Sequence, residues 1–309
     1  MVKQSKQTWT LTAPLEDERF AWLDTIADPV QKGWQATFNT SKAGRSVKSL
    51  LNGTPLRHRV HPALILWPAG AWTTAAMLDA IDLMASRRGN YSFRGGADAS
   101  VAFGLLGALP TALAGWADWT DLNGHQRRVG MAHALTNITS IALYSLSLGL
   151  RLRRKERRGM AQLLSGAGFA TIGLGGALGG ELIYNLGVNV THQLFPKPPN
   201  RWVDVLASAD LPEGKLVAVD VERVPVMLLR QDGQIFANES WCTHAGGPLH
   251  EGKFEGTIVE CPWHQSRFDL RDGAPKQGPA SAPLHTFEVR EQGGRISVYP
   301  SYEGQDYEA

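Results

Sequence analysis

The sequence predicts a multi-domain protein: a four-helix transmembrane bundle followed by a small all-β domain that carries a metal centre. Three observations lead there. Residues 62–190 are dominated by Ala, Gly and Leu and fall into four apolar segments. Residues 201–309 hold short β-type runs broken by turn residues. Both cysteines of the chain lie in that second region, each a few residues from a histidine. At 309 residues there is room for two or three units, and a net charge of +2 gives no case for nucleic acid or acidic partners.

The predicted divisions are a polar N-terminal tail at 1–53, a membrane domain at 54–191, a linker at 192–200 and the β domain at 201–309. The tail contains no continuous apolar stretch of the kind that opens a secreted protein. It does place Phe20, Trp22, Leu23, Ile26, Val30 and Trp34 roughly on a helical period. That pattern suits an amphipathic helix on a membrane surface. It equally suits a helix packed on the protein itself.

The four apolar segments run 62–77, 99–116, 131–150 and 161–184. Crossing the hydrocarbon core takes roughly 17–25 residues, so each is long enough or nearly so. Trp67, Trp72, Trp116 and Trp119 suit the interface, and the many glycines of 166–180 permit close helix contact in lipid. A soluble bundle with an Ala/Gly-rich core is the alternative. Four crossings leave both termini on one face. The basic residues divide eight against nine between the two faces, so the positive-inside rule gives no decision. The long polar tail and the absence of cysteines for a disulfide place the β domain on the cytoplasmic face of a multi-pass cell-membrane protein. Membrane lipid is then one partner.

Antiparallel packing gathers ionisable residues at one end of this bundle. His58 and His61 open the first helix, His133 lies near the start of the third, and Asp118, Asp121 and His125 follow the second. Glu181, Asn185 and His192 close the fourth. Such groups at membrane depth are costly and are functional candidates for that reason. His61 and His133, on helices running the same way, suit the axial positions of a haem. Glu181 with the two histidines suits a metal or a quinone headgroup instead. Capping and interhelical hydrogen bonding is the third reading. Asp79 and Asp82, at the other end of the first helix, are expected to meet water.

In the β domain the runs 216–221, 226–230, 234–238, 257–260, 285–291 and 295–298 read as strands, with turn signals such as Asp232-Gly233 and Gly293-Gly294 between them. Cys242, His244, Cys261 and His264 form Cys-x-His, a gap of sixteen residues, then Cys-x-x-His. Two thiolates and two imidazoles make a four-ligand site. A closed zinc site accepts those donors. A [2Fe–2S] cluster with two Cys on one iron and two His on the other accepts them as well, each loop giving one ligand to each iron. The flanking residues, Cys242-Thr-His-Ala-Gly-Gly-Pro-Leu249 and Cys261-Pro-Trp-His-Gln-Ser-Arg-Phe-Asp269, favour the cluster.

Those two loops, with Asp210-Leu-Pro-Glu-Gly214 before them and Gly278-Pro-Ala280 after them, resemble the Rieske ferredoxin-type domain over nearly all of 201–309. Residues 54–191 resemble a bacterial membrane family of unknown function, on Leu56, His58, His61-Pro62, Gly115, Asp118-Trp119, His133, Asn137 and Gly179-Gly-Glu-Leu182. The first resemblance implies a one-electron centre with its imidazoles at the solvent edge, where a redox partner docks. Respiratory Rieske proteins add a disulfide between the loops. Gly247 and Trp263 stand at those positions here, so that staple is absent. The resemblance also implies that Ser266 hydrogen-bonds the cluster, and that Phe268 replaces a tyrosine donor. One donor fewer lowers the expected potential.

The function expected is a membrane-anchored electron carrier that exchanges single electrons with a membrane redox protein or quinone. A complete quinol- or haem-linked oxidoreductase using His61, His133 and Glu181 is the alternative. No mononuclear iron triad for oxygenase chemistry stands out in a large enough soluble domain.

Overall fold

The computed structural model describes residues 12–85, 92–153, 157–191, 193 and 199–301. Arg87 and Arg88, part of the basic run at 154–156, His192, most of the 192–200 linker and the acidic tail at 302–309 lie outside them. The chain divides into two compact units. One combines residues 1–36 with 60–188, and the other combines 37–59 with 189–309.

Six α-helices are present among the described residues, where four were expected. The two extra ones lie in the region read as a polar tail: α1 (Trp22–Asn39) and α2 (Lys42–Leu51). The first part of α1 settles the question its periodicity raised. Leu23 and Ala27 are buried with Trp119, Leu122, Val129, Met131 and Leu182, so this face packs on the protein itself.

The other four are α3 (Val60–Ala85), α4 (Arg94–Trp119), α5 (Gly124–Arg153) and α6 (Arg158–Tyr184). Each runs past its apolar segment at one or both ends. Three, α3, α4 and α6, are long and apolar enough to cross a membrane. The fourth, α5, is diluted by polar residues, among them two serines that bond α6 side chains. Ser140 bonds Thr171 at 2.7 Å, and Ser147 bonds Ser165 at 2.9 Å. Serine and threonine pairs of this kind hold helices together where water is absent. Leucines 66, 106, 109 and 163 are exposed on the outside of the bundle, as a lipid-facing surface requires.

The expectation for Asp79 and Asp82 is corrected. Both are buried. Asp79 pairs with Arg151 and Arg158, and Asp82 with Arg94. A carboxylate at that depth is retained because cations on other turns neutralise it.

The second unit is built on antiparallel strands. A six-stranded sheet has the order β1 (Val203–Ala207), β10 (Arg295–Pro300), β9 (Thr286–Gln292), β4 (Gln234–Glu239), β3 (Val224–Gln231) and β2 (Leu216–Val221). A four-stranded sheet runs β5 (Lys253–Glu255), β6 (Ile258–Glu260), β7 (Arg267–Asp269) and β8 (Pro275–Gln277). Strand β3 is apolar on both faces, and its alternation distributes it between two cores. Val226 and Leu228 join Val221, Ile296 and Val298, whereas Met227 and Leu229 join Cys242, Cys261, Leu249 and Phe268. The cysteines are therefore anchored in a packed core.

Candidate metal centre

One loop follows β4 and carries Cys242 and His244. The other joins β6 to β7 and carries Cys261 and His264. The two have the same backbone construction. The Cys242 N–H donates to Gly247 O at 2.8 Å, and the Gly246 N–H to Cys242 O at 2.8 Å. In the second loop, Cys261 N–H donates to Ser266 O at 2.8 Å and Gln265 N–H to Cys261 O at 3.0 Å. Gly246 and Gln265 take the left-handed backbone that closes each turn, with φ of 72° and 61°.

This construction turns amide N–H groups toward the sulfurs: His244 toward Cys242, and Trp263 and His264 toward Cys261. The Ser266 hydroxyl also reaches the Cys242 sulfur, while its oxygen accepts the Ala280 N–H at 3.0 Å. The Cys242 thiol donates to Cys261, which, with those N–H groups, lowers Cys261 to about 7. Its role as donor, together with burial, pushes Cys242 up. Burial keeps the His244 imidazole well below its usual range, with the charges of Arg59, His264 and Lys48 acting the same way. A neutral imidazole beside an easily ionised thiol is a ligand set ready for metal.

The imidazoles of His244 and His264 stand 4.9 Å apart between ring centroids, at 84°. Gly247 is required by space: a Cβ there would lie 2.7 Å from the Cys261 sulfur and 3.2 Å from the Trp263 ring. Among the described residues, no three of His, Cys, Asp and Glu converge as on one ion. A single tetrahedral zinc needs such convergence. A two-iron cluster spreads its four ligands over two metals, and this donor set fits it.

The segment 37–59, of which 37–53 was read as tail and 54–59 as the start of the membrane domain, packs on this site. Ser41 caps α2, accepting the Gly44 N–H at 2.9 Å. Beyond it, Ser49 accepts the Gly278 N–H at 2.9 Å and Thr54 donates to Ala280 O at 2.8 Å. Ala280 in turn bonds Ser266, and Thr243 donates to Ala282 O at 2.8 Å. Asn39, Arg45 and Lys48 line a small crevice with His264, Gln265 and Pro279. The expected solvent-edge position is corrected for one histidine. His244 is 4% exposed, and His264 alone is partly open, next to the exposed Trp263. Nothing in the sequence of 37–59 links it to the cluster loops; its only local signal is the Ser41 cap.

The membrane-side candidates divide. His61 Nδ1 lies 2.9 Å from Thr111 O, and His133 Nδ1 lies 2.8 Å from Gly175 O. Glu181 is taken elsewhere, accepting from Thr12 at 3.1 Å and from Asn185 at 2.5 Å. The trio of His61, His133 and Glu181 is therefore not a hydrogen-bonded group.

Comparison with known proteins agrees with this geometry. Residues 201–288 match the Rieske [2Fe–2S] domain, and residues 57–192 match a predicted membrane protein family (DUF2231). The ferredoxin component of a naphthalene 1,2-dioxygenase system of Pseudomonas aeruginosa is 34% identical over 98 residues, which are 32% of this chain and 94% of that protein. The ferredoxin component of biphenyl 2,3-dioxygenase of Rhodococcus jostii is 34% identical over 94 residues, 30% of this chain and 88% of that protein. Among solved structures, the ferredoxin of carbazole 1,9a-dioxygenase from Nocardioides aromaticivorans is 34% identical, with 32% of this chain and 98% of that chain covered and a TM-score of 0.31. A Rieske domain implies a [2Fe–2S] cluster. Through its C-terminal third this chain belongs to the Rieske [2Fe–2S] family, and its helical part carries the predicted membrane domain.

Proposed function

We propose that this protein is a membrane-anchored electron carrier that passes single electrons between its cluster and a membrane redox partner. Cys242, His244, Cys261 and His264 are the cluster ligands, and Ser266 is a hydrogen-bond donor to it. The observation that carries this reading is the pair of matching loops, each presenting one sulfur and one imidazole. When bound, the cluster supplies one-electron chemistry. The chain's residues hold it, aim N–H groups at its sulfurs and leave His264 as the more open edge. The relatives are named as ferredoxin components of dioxygenase systems, which supports a carrier over a stand-alone catalyst.

The exposed leucines of α3, α4 and α6 support contact with lipid. We place the cluster on the cytoplasmic face. The test is an optical and EPR spectrum of the full-length protein in detergent. Cys261→Ser and His264→Ala should each lose the cluster signal while the protein stays in the membrane fraction. An intact signal in either variant refutes the ligand assignment. Protease accessibility of residues 201–301 in inverted and right-side-out vesicles decides the face.

A further inference from the structure

The helical unit has two halves whose helix contacts repeat, and the repeat singles out one pair of histidines. Few residues are identical between the halves, but the contacts of α3 with α4 recur between α5 and α6 at offsets of 72 and 64 residues. In the first half, His61 meets the Thr111 carbonyl and would collide with a Cβ at Gly115, 2.9 Å from its Cε1. In the second half, His133 meets the Gly175 carbonyl and would crowd a Cβ at Gly179, 3.2 Å from its Cε1. Thr111 and Gly175 are 64 residues apart, as are Gly115 and Gly179. About three helical turns further along, the Trp72 ring lies against Gly104 and the Tyr144 ring against Gly168, again offset by 72 and 64.

Three residue pairs related by the 72-residue offset mark the relation between the two halves. Trp72 and Tyr144 stack at 4.3 Å and 7°. Asp79 and Arg151 form a buried ion pair. His61 and His133 are the third pair, about 27 Å from the ionic level at 1.5 Å per residue. The first two pairs are complementary and complete. The third is a pair of like bases.

The chemistry of that pair is fixed by its hydrogen bonds. A carbonyl oxygen only accepts, so each Nδ1 carries the proton and each Nε2 holds the lone pair. A backbone carbonyl on the far nitrogen is the usual support for a metal-binding imidazole. Two donors do not complete a bare ion, and among the described residues no third His, Cys, Asp or Glu joins them. A haem brings four nitrogens of its own and needs two axial imidazoles. In this structure Asn137 Nδ2 stands 3.1 Å from His133 Nε2 and also bonds the His133 carbonyl at 2.9 Å. Ligation requires it to give up the first contact and keep the second.

We propose that His61 and His133 are the axial ligands of a non-covalently bound haem held between the two halves of the helical unit. Gly115 and Gly179 let the two imidazoles pack directly against the neighbouring helices. Thr111 and Gly175 orient the ligands through their carbonyls. The inference does not rest on the Rieske reading.

The test uses full-length protein in detergent, titrated with haemin. Haemin should bind at one per chain and give a low-spin, bis-imidazole Soret and EPR signature. His61→Gly and His133→Gly should each lose the low-spin signature, and added imidazole should restore it. An unchanged far-ultraviolet circular dichroism spectrum and gel-filtration profile in detergent show that the helical unit of these variants has folded. Cys261→Ser should lose the cluster and keep the haem signature, separating this site from the iron–sulfur centre. Failure of the wild-type protein to give a low-spin haemin complex overturns the proposal. An unchanged low-spin spectrum in both glycine variants also overturns it.

Discussion

Replacing Lys48 by methionine removes a positive charge that is 4% exposed and acts on His244. Reduction adds an electron to the cluster, and a nearby cation stabilises that added charge. Its removal must therefore lower the midpoint potential. Across a separation on the order of 8 Å, with an effective dielectric of about 20, one unit charge contributes about 2 kcal/mol. At about 1.4 kcal/mol and about 59 mV per tenfold change, that is about 80 mV. Solvent screening brings the expected drop to about 40–80 mV. An EPR-monitored redox titration of Lys48→Met against wild type reads it directly. Lys48→Arg, which keeps the charge, should stay near wild type. Arg59→Gln should lower the potential in the same direction. A Lys48→Met midpoint within about 10 mV of wild type, with an intact cluster spectrum, refutes the electrostatic role of α2.

Four further outcomes are expected. Phe268→Tyr places a hydroxyl in a fully buried position beside the cysteines and should raise the midpoint in the same titration, because a sulfur is the acceptor within its core. Gly247→Ala puts a Cβ 2.7 Å from the Cys261 sulfur and should reduce the cluster content per chain, measured as bound iron. Arg151→Met leaves Asp79 and Asp98 with Arg158 alone and should cost about 3–5 kcal/mol, seen as a lower Tm in detergent, whereas changing Asp79 and Arg151 together to leucine should cost less. The Arg271 guanidinium holds the buried Asp269 carboxyl far below its ordinary value near 3.8. Its contribution to stability is complete above that value and is lost as pH falls toward the depressed one. Asp269→Asn should therefore weaken the protein at neutral pH and flatten its loss of stability below about pH 4.

The cluster loops were legible because their chemistry is scarce: a chain with two cysteines, each near a histidine, has few other uses for them. The longer strands were equally readable, since β2 and β4 alternate and β3 is a continuous β-type apolar run, each bounded by clear turns. The three-residue strands β5, β7 and β8 are too short for a period to develop, and β1 was missed as well. The docking of 37–59 was illegible for a different reason. Its contacts run from Ser49 and Thr54 to the backbone at 278–280, more than two hundred residues away, and backbone partners leave no trace in side-chain pattern.

The repeat in the helical unit was hidden by the property that makes it informative. A repeat shows in sequence when equivalent positions keep the same residue. Two of the pairs related by the 72-residue offset hold complementary residues: tryptophan faces tyrosine, and aspartate faces arginine. Packing favours that divergence, because a second aspartate opposite Asp79 would leave two buried like charges, whereas arginine neutralises one. The glycines at 104 and 168 and at 115 and 179 kept their identity, since each faces a ring that leaves no space for a Cβ. The histidines kept theirs as well, each meeting a backbone carbonyl and a glycine at matching offsets. Identity retained where the neighbouring pairs have diverged calls for a ligand that uses both residues in the same way. An iron with two axial positions meets that condition.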